Sequence, residues 1–406
     1  MPPKDYEPNR KWAIVIGAGL ALSPIHNCWL TELVTKDGEV GFFLPAFGYA
    51  VWMMGALLFA IFNWKELDWG DKRVFIPLLI IVISMGLSGI YADRWQDKVA
   101  PLLMGLSFFA LYLATRKLGK DIFLPLAIGA GIASLGVIAY GIIHPGIITG
   151  GFVFGENYDI ATGFLILGLV VSAVKYQWWL SALVLVALFF TGADEAIFAV
   201  AVLLAVILIR KDWSRKALLP VVALVIIISI CTPIGITRQL YFPTLEKTAM
   251  AKEAVESTPV SRALDKVIPD EFLKPINRVE EIVGTENEAD PADKATNRRW
   301  RVYQWSLQNI KPLGHGLNLT EFQKEDMVHN VPLIILYQIG IAGAIAWLVI
   351  MGYCAVRTRW KYAFVAVLAL SVWDHFIWTQ FAPLWWALVG VTTVSEVKSD
   401  LIFKGV

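Results

Sequence analysis

Apolar runs of about twenty residues, separated by short charged loops, recur along the whole chain, and no other feature narrows its possible folds as much. A bilayer core of about 30 Å is crossed by roughly 20 helical residues. That template fits at 12–30, 41–62, 74–91, 99–115, 122–143, 159–176, 177–191, 195–209, 217–236, 330–353, 361–378 and 381–394. With 57% apolar and 17% charged residues among 406, and a mean hydropathy of +0.60, the chain holds more apolar residues than a soluble core of its size can use. The expected fold is an all-α polytopic membrane protein with about twelve transmembrane helices. The run 177–191 is short, and the 33-residue stretch Tyr362–Val394 is too long for one straight helix, with Gln380 and Pro383 marking a turn.

The first apolar run follows Lys4, Arg10 and Lys11 and lacks a small-residue cleavage site, so it is expected to be a retained helix. With the N-terminus inside, short inner loops and tails hold 19 Lys and Arg against 3, Lys36, Arg94 and Lys98, in the short outer loops. That positive-inside bias sets the orientation. The formal net charge is +1 and gives no electrostatic case for a nucleic-acid partner. Cys28, Cys231 and Cys354 fall in apolar segments and match no zinc spacing, so they read as packing residues.

The spans divide the chain into helices one to nine over residues 1–236, a hydrophilic insertion over 237–328, and helices ten to twelve over 329–406. The insertion shifts abruptly to mixed charge, and Pro243, Pro259, Pro269, Pro275, Pro291 and Pro312 break it into short helices. It is expected to form one large helical periplasmic loop. On a helical wheel its last helix, about 296–310, places Trp300, Tyr303, Leu307 and Ile310 on one stripe. Arg298, Arg301, Trp305 and Gln308 lie opposite, facing away from the packed side.

The residues around the tenth span carry the chemistry. Asn330 can cap that helix, with Val331 the first helical residue and Pro332 tolerated in the first turn. His329 then sits beside the positive end of a helix dipole, which favours a neutral imidazole able to act as a general base toward a hydroxyl. Arg298, Arg299, Arg301 and Arg94 offer forked donors suited to phosphate oxygens. Histidines at 26, 144, 315, 329 and 375 fall at outer ends of spans, but none pairs at the i, i+4 spacing of a zinc site, so neither metal nor cofactor is expected. A base beside an anion clamp, with no nucleotide-binding loop, points to group transfer from a lipid pyrophosphate to a hydroxyl.

The order Arg301-x-x-x-Trp305, Pro312-x-Gly314-x-Gly316, His329-Asn330-x-x-Leu333 and Gly340-x-x-Gly343 resembles the signature of the O-antigen ligase and O-antigen polymerase superfamily of bacterial membrane glycosyltransferases. Gly155-Glu-Asn157 and the large outer loop before the tenth span resemble it too. The resemblance implies metal-independent transfer of a glycan from undecaprenyl pyrophosphate on the periplasmic face of the inner membrane. His329 would activate the acceptor hydroxyl and Arg301 would hold the pyrophosphate, with Asn330, Trp305, Gly314 and Gly316 in support. The implied acceptor is a glycolipid, either lipid A-core for a ligase or another lipid-linked repeat unit for a polymerase, with a lean toward polymerase. Two positions depart from the pattern: Thr191-Gly-Ala-Asp194-Glu195 stands where the family often carries an arginine, and Gln338 replaces a frequent glutamate. Two other classes remain: a transporter or flippase of the same lipid, and a non-catalytic glycan-lipid binder. The spans hold few mid-depth ionisable groups, which disfavours ion-coupled transport.

Overall fold

The computed structural model describes residues 6–25, 43–91, 95–143, 150–154, 158–174, 178–191, 303–316, 330–358, 361–373, 377–379 and 381–393. Among these, all regular structure is helical. The helices are α1 (Tyr6–Leu22), α2 (Phe43–Phe62), α3 (Lys72–Ser88), α4 (Trp95–Leu118), α5 (Leu124–Ile143), the single turn α6 (Gly151–Phe154), α7 (Tyr158–Val174), α8 (Trp178–Thr191), α9 (Val331–Arg357), α10 (Lys361–Trp373) and α11 (Ala382–Thr392). Each long helix overlaps an apolar run of the sequence, and the proposed spans 195–209 and 217–236 lie outside the described residues. By length and hydropathy, the stretch Lys98–Ile143, which joins α4 and α5, and the helix Val331–Arg357 are apolar enough to cross a membrane. A turn at residues 377–379 precedes α11, which begins at Ala382 with Pro383 in its first turn, and Gln380 lies outside the described residues.

Both the buried and the exposed surfaces of the bundle are apolar, as expected where lipid replaces water as solvent. Ile128, Ile132, Leu135 and Ile142 make one exposed stripe down α5, and Ile341, Ile345, Leu348 and Val356 another down α9. Inside, α2, α4 and α11 meet through stacked rings, Trp52 on Phe108 (5.5 Å between centroids) and Phe108 on Trp386 (5.6 Å). Small residues allow α1 and α2 to cross closely: a Cβ on Gly19 would lie 2.6 Å from the Trp52 nitrogen. The broadest packing between helices is α9 against α3, running antiparallel from Gly343 beside Ser84 to Tyr353 beside Asp71.

A polar latch fastens one end of the bundle. Arg116, at the end of α4, is almost wholly buried and forms an ion pair with Asp68 at 2.8 Å. Its Nε donates to the Asp68 carbonyl (3.0 Å), and its Nη1 donates to the carbonyl (2.6 Å) and hydroxyl (2.8 Å) of Thr393 beyond α11. Lys117 pairs with Glu66 and donates to Asn63 Oδ1 (3.2 Å). Asp71 caps α3 by accepting from the Arg73 backbone N–H (2.9 Å), which holds its carboxyl below the usual carboxylate range, and also accepts from the Tyr353 hydroxyl (2.9 Å). A buried guanidinium needs such partners, since the unpaired charge would be costly. Arg10, Lys11, Lys65, Lys72, Arg73, Lys120 and Arg357 fall toward the same end, and Lys98 and Lys311 toward the other. Among the described residues, Lys and Arg therefore gather toward one end of the bundle.

Arg116→Lys is expected to lower the melting midpoint in detergent nearly as much as Arg116→Ala. One ammonium cannot reach Asp68 and Thr393 with the geometry of a fork. Thermal unfolding followed by circular dichroism checks this.

Candidate functional site

The N-terminal half of α9 carries the described part of the site. Asn330 adopts an extended conformation, its side-chain oxygen accepts from the Leu333 backbone N–H at 3.0 Å, and its carbonyl accepts from the Ile334 N–H at 3.0 Å. Pro332 occupies the first turn, where its missing N–H costs nothing. Asn330 is thus the expected cap.

Ten residues on, α9 breaks. Gly340 has φ 76° and ψ −174°, outside helical space and on the side that a Cβ disfavours. The segment 311–316 fills the gap. Within an unbroken helix the Ile341 N–H would bond to the Tyr337 carbonyl. Here the Ile341 N–H donates instead to the Pro312 carbonyl (3.1 Å), and the freed carbonyls of Tyr337 and Gln338 accept from the N–H groups of His315 (2.9 Å) and Gly316 (3.0 Å). The exchange gives these three groups partners; left buried and unpaired, each would cost about 1–3 kcal/mol. Gly314, at φ 80°, and Gly340 lie face to face: a Cβ on Gly314 would overlap the Gln338 carbonyl, and one on Gly340 would overlap the Pro312 carbonyl. The four motif glycines therefore divide their work differently from their pairing in the sequence. Gly314, Gly316 and Gly340 make the docked junction, and Gly343 brings α9 against Ser84 of α3.

Aromatic rings brace the junction. The His315 imidazole stacks on Tyr337 at 4.0 Å between centroids and 5° between planes. Its Nε2 lies 2.6 Å from the Asn309 carbonyl, which can only accept, so Nε2 carries a proton. Trp305 packs on the Tyr337 ring at 5.8 Å. Below the break, the Gln338 amide oxygen accepts from the Trp378 indole N–H at 2.8 Å, both groups being buried. The wheel reading of the preceding helix needs correction. Residues 303–308 are helical, but Trp305 packs inward, Ser306 is fully buried, and Leu307 is 55% exposed. Tyr303 packs against the core and Gln308 is exposed, as the wheel has them; Trp305 and Leu307 exchange places because the partner surface is an aromatic ring, which takes an amphipathic tryptophan more readily than a leucine.

Of the residues singled out in the sequence, Trp305, Gly314 and Gly316 come together at this junction, and Asn330 caps the same helix ten residues before the break. Arg301, Arg298, Arg299, Arg94 and His329 lie outside the described residues, as do Asp194, Glu195 and Gly155-Glu-Asn157. Arg301 precedes the described helix by two residues and His329 precedes Asn330 by one. His315 and Tyr337 were not singled out as site residues. The sequence offered His315 between two glycines of a motif as the only sign. Among the described residues no three His, Cys, Asp or Glu side chains gather as a metal site would require.

Residues 179–348 match a family model described as O-antigen ligase. Neither a curated protein nor a solved structure gives a significant match. The family match supports a glycan-transfer role in O-antigen or polysaccharide biosynthesis for a bacterial membrane protein.

Gly314→Ala and Gly340→Ala are each expected to destabilise the protein by several kcal/mol, on the order of other core overpacking combined with a forbidden φ. Gly352→Ala, in the same helix with nothing near its Cβ position, should be neutral or stabilising by up to about 1 kcal/mol. Denaturation of the three variants in matched detergent tests the contrast. Asn330→Ala should cost about 1 kcal/mol and Asn330→Asp much less, since the aspartate keeps the capping oxygen.

Proposed function

We propose that a chain carrying this O-antigen ligase segment is a glycosyltransferase that moves a glycan from undecaprenyl pyrophosphate to an acceptor hydroxyl on the periplasmic face of the bacterial inner membrane. The acceptor is a glycolipid, either lipid A-core or a second lipid-linked repeat unit. The observation that carries the reading is the extent of the family match, whose residues 179–348 include Arg298 to Arg301, the segment from Pro312 to Gly316, the His329-Asn330 pair and Gly340.

In the proposed reaction the acceptor oxygen attacks the anomeric carbon, the bond from that carbon to the pyrophosphate oxygen breaks, and the lipid pyrophosphate leaves with the bonding pair. His329 takes the hydroxyl proton as the new bond forms. Arg301 holds the departing diphosphate, where charge grows in the transition state and a fixed forked cation acts most strongly. Arg298, Arg299 or Arg94 supplies the second cation that Asp194 does not. No metal is called for, because the guanidinium groups meet the charge and the imidazole meets the proton. About twelve spans hold the periplasmic loop 237–328 over this site, with the N-terminus and the latch end in the cytoplasm.

Purified protein reconstituted with lipid-linked glycan and a glycolipid acceptor tests the proposal. His329→Ala should abolish transfer, and Arg301→Lys should lower kcat by about 100-fold or more. Normal turnover by either variant would refute the assignment, and movement of the lipid-linked glycan across the bilayer without bond cleavage would favour a flippase.

A further inference from the structure

We infer that the recess on α4 between α2 and α3 is a phospholipid site, with an acyl chain lying in the recess and an anionic headgroup at its basic end. That headgroup end is opposite the Gly340 junction, and the site is independent of the reaction proposed above. Both α2 and α3 pack along α4 but scarcely touch each other, so α4 forms the floor between them. Val99, Leu103, Leu106 and Lys117 of α4 fall on one helical face, and the three apolar residues are exposed. Beside that face, Gly105 packs against Val82 and Met85 of α3, and the exposed Leu79 and Ile83 of α3 continue the apolar surface as a wall.

The loop 63–71 closes the recess at the basic end. Further along the same face of α4, Ala110 and Leu113 are buried, and Lys117 donates to Asn63 Oδ1 (3.2 Å) and pairs with Glu66. Trp69 lies 6.2 Å from Phe109 of α4 and edge-on to Phe75 of α3 at 5.6 Å, and Trp64 meets Trp69 edge-on at 5.4 Å. Both indoles keep an outward surface, 60% exposed for Trp64 and 40% for Trp69, as amphipathic rings do at a headgroup boundary. Charge at this end favours an anion. The acids of the loop are engaged, Glu66 by Lys117, Asp68 by Arg116, and Asp71 by the Arg73 N–H and the Tyr353 hydroxyl. Lys65 and Lys72 are exposed, and neither pairs with an acid among the described residues. Lys72 shares a face of α3 with Leu79 and Ile83, so cation and apolar wall serve one ligand. Every exposed stripe of a membrane bundle meets lipid. This one is recessed, closed at one end and rimmed by cations, which selects a lipid by the charge of its headgroup.

Native mass spectrometry of the purified, delipidated protein, titrated with phosphatidylglycerol or phosphatidylcholine of matched chains, reads the first bound lipid. The wild type is expected to bind phosphatidylglycerol about tenfold or more tightly than phosphatidylcholine, since each lysine near an anionic surface contributes about fivefold. Lys65→Gln combined with Lys72→Gln should remove that preference and leave phosphatidylcholine binding within about twofold. Leu106→Trp fills the recess from an exposed position and should weaken first-site binding of both lipids by about tenfold, the apolar contact of roughly two methylenes. Lys98→Gln, at the other end of α4, should change neither affinity. Equal affinity of the wild type for the two lipids overturns the inference, as does a preference that survives the double lysine variant or falls equally in Lys98→Gln. Unaltered binding by Leu106→Trp also overturns it, because the lipid then sits outside the recess. Melting midpoints report folding, and the wild-type comparison decides the matter for any variant that does not fold.

Discussion

The structure around the candidate site depends on one exchange of backbone hydrogen bonds. A helix interrupted in an apolar setting exposes carbonyls and N–H groups that water cannot reach, and the break at Gly340 is tolerable only because residues 312–316 supply the missing partners. The exchange works in both directions, with the loop donating to Tyr337 and Gln338 and accepting from Ile341. It also explains why glycines occur on both strands of the junction. Neither chain could approach the other with a Cβ in the way, and both turn through positive φ at the point of contact.

The two ends of the bundle are held by different physics. At the basic end, charge does the fastening: Arg116 joins the loop after α2 to the residues after α11, and Asp71 joins the start of α3 to Tyr353 of α9. At the site end, described contacts are backbone exchange and ring stacking, which are directional and carry little net charge. Between the ends, the core relies on ring area. The indole N–H groups of Trp52, Trp347 and Trp386 are buried without a hydrogen-bond partner, while Trp385 donates to the Met351 sulfur at 3.0 Å.

Hydropathy made most of the fold legible, because lipid removes the ambiguity between helix and strand for a long apolar run. The cap at Asn330 was legible for a local reason: an N-cap needs one short polar side chain and three following residues, all adjacent in sequence. The turn near Pro383 was visible in the same way. What escaped was tertiary. Gly340 lies within an apolar stretch that reads as unbroken helix, and its break depends on a loop some 25 residues earlier in the chain, from Pro312 to Gly316. Trp305 and Leu307 of the 303–308 helix were misplaced for the same cause, since Tyr337 decides which of them packs. His315 could be seen as a polar residue between glycines, but nothing nearby in sequence reveals the ring beneath it.

The length of α9 fixes the altitude of all this relative to the lipid. Its unbroken part from Ile341 to Arg357 rises about 25 Å at 1.5 Å per residue, against a hydrocarbon thickness of about 30 Å. Counted from the charged end at Arg357, that straight part nearly fills the hydrocarbon, and the break at Gly340 comes where it ends. A bilayer set with Arg357 at one face therefore puts the interrupted turn close to the opposite face, with the first turns of the helix beyond it as a short mast. In the function proposed above, the diphosphate of the lipid-linked donor travels at that same level. It would reach the mast by lateral diffusion alone, without leaving the leaflet in which its tail is dissolved.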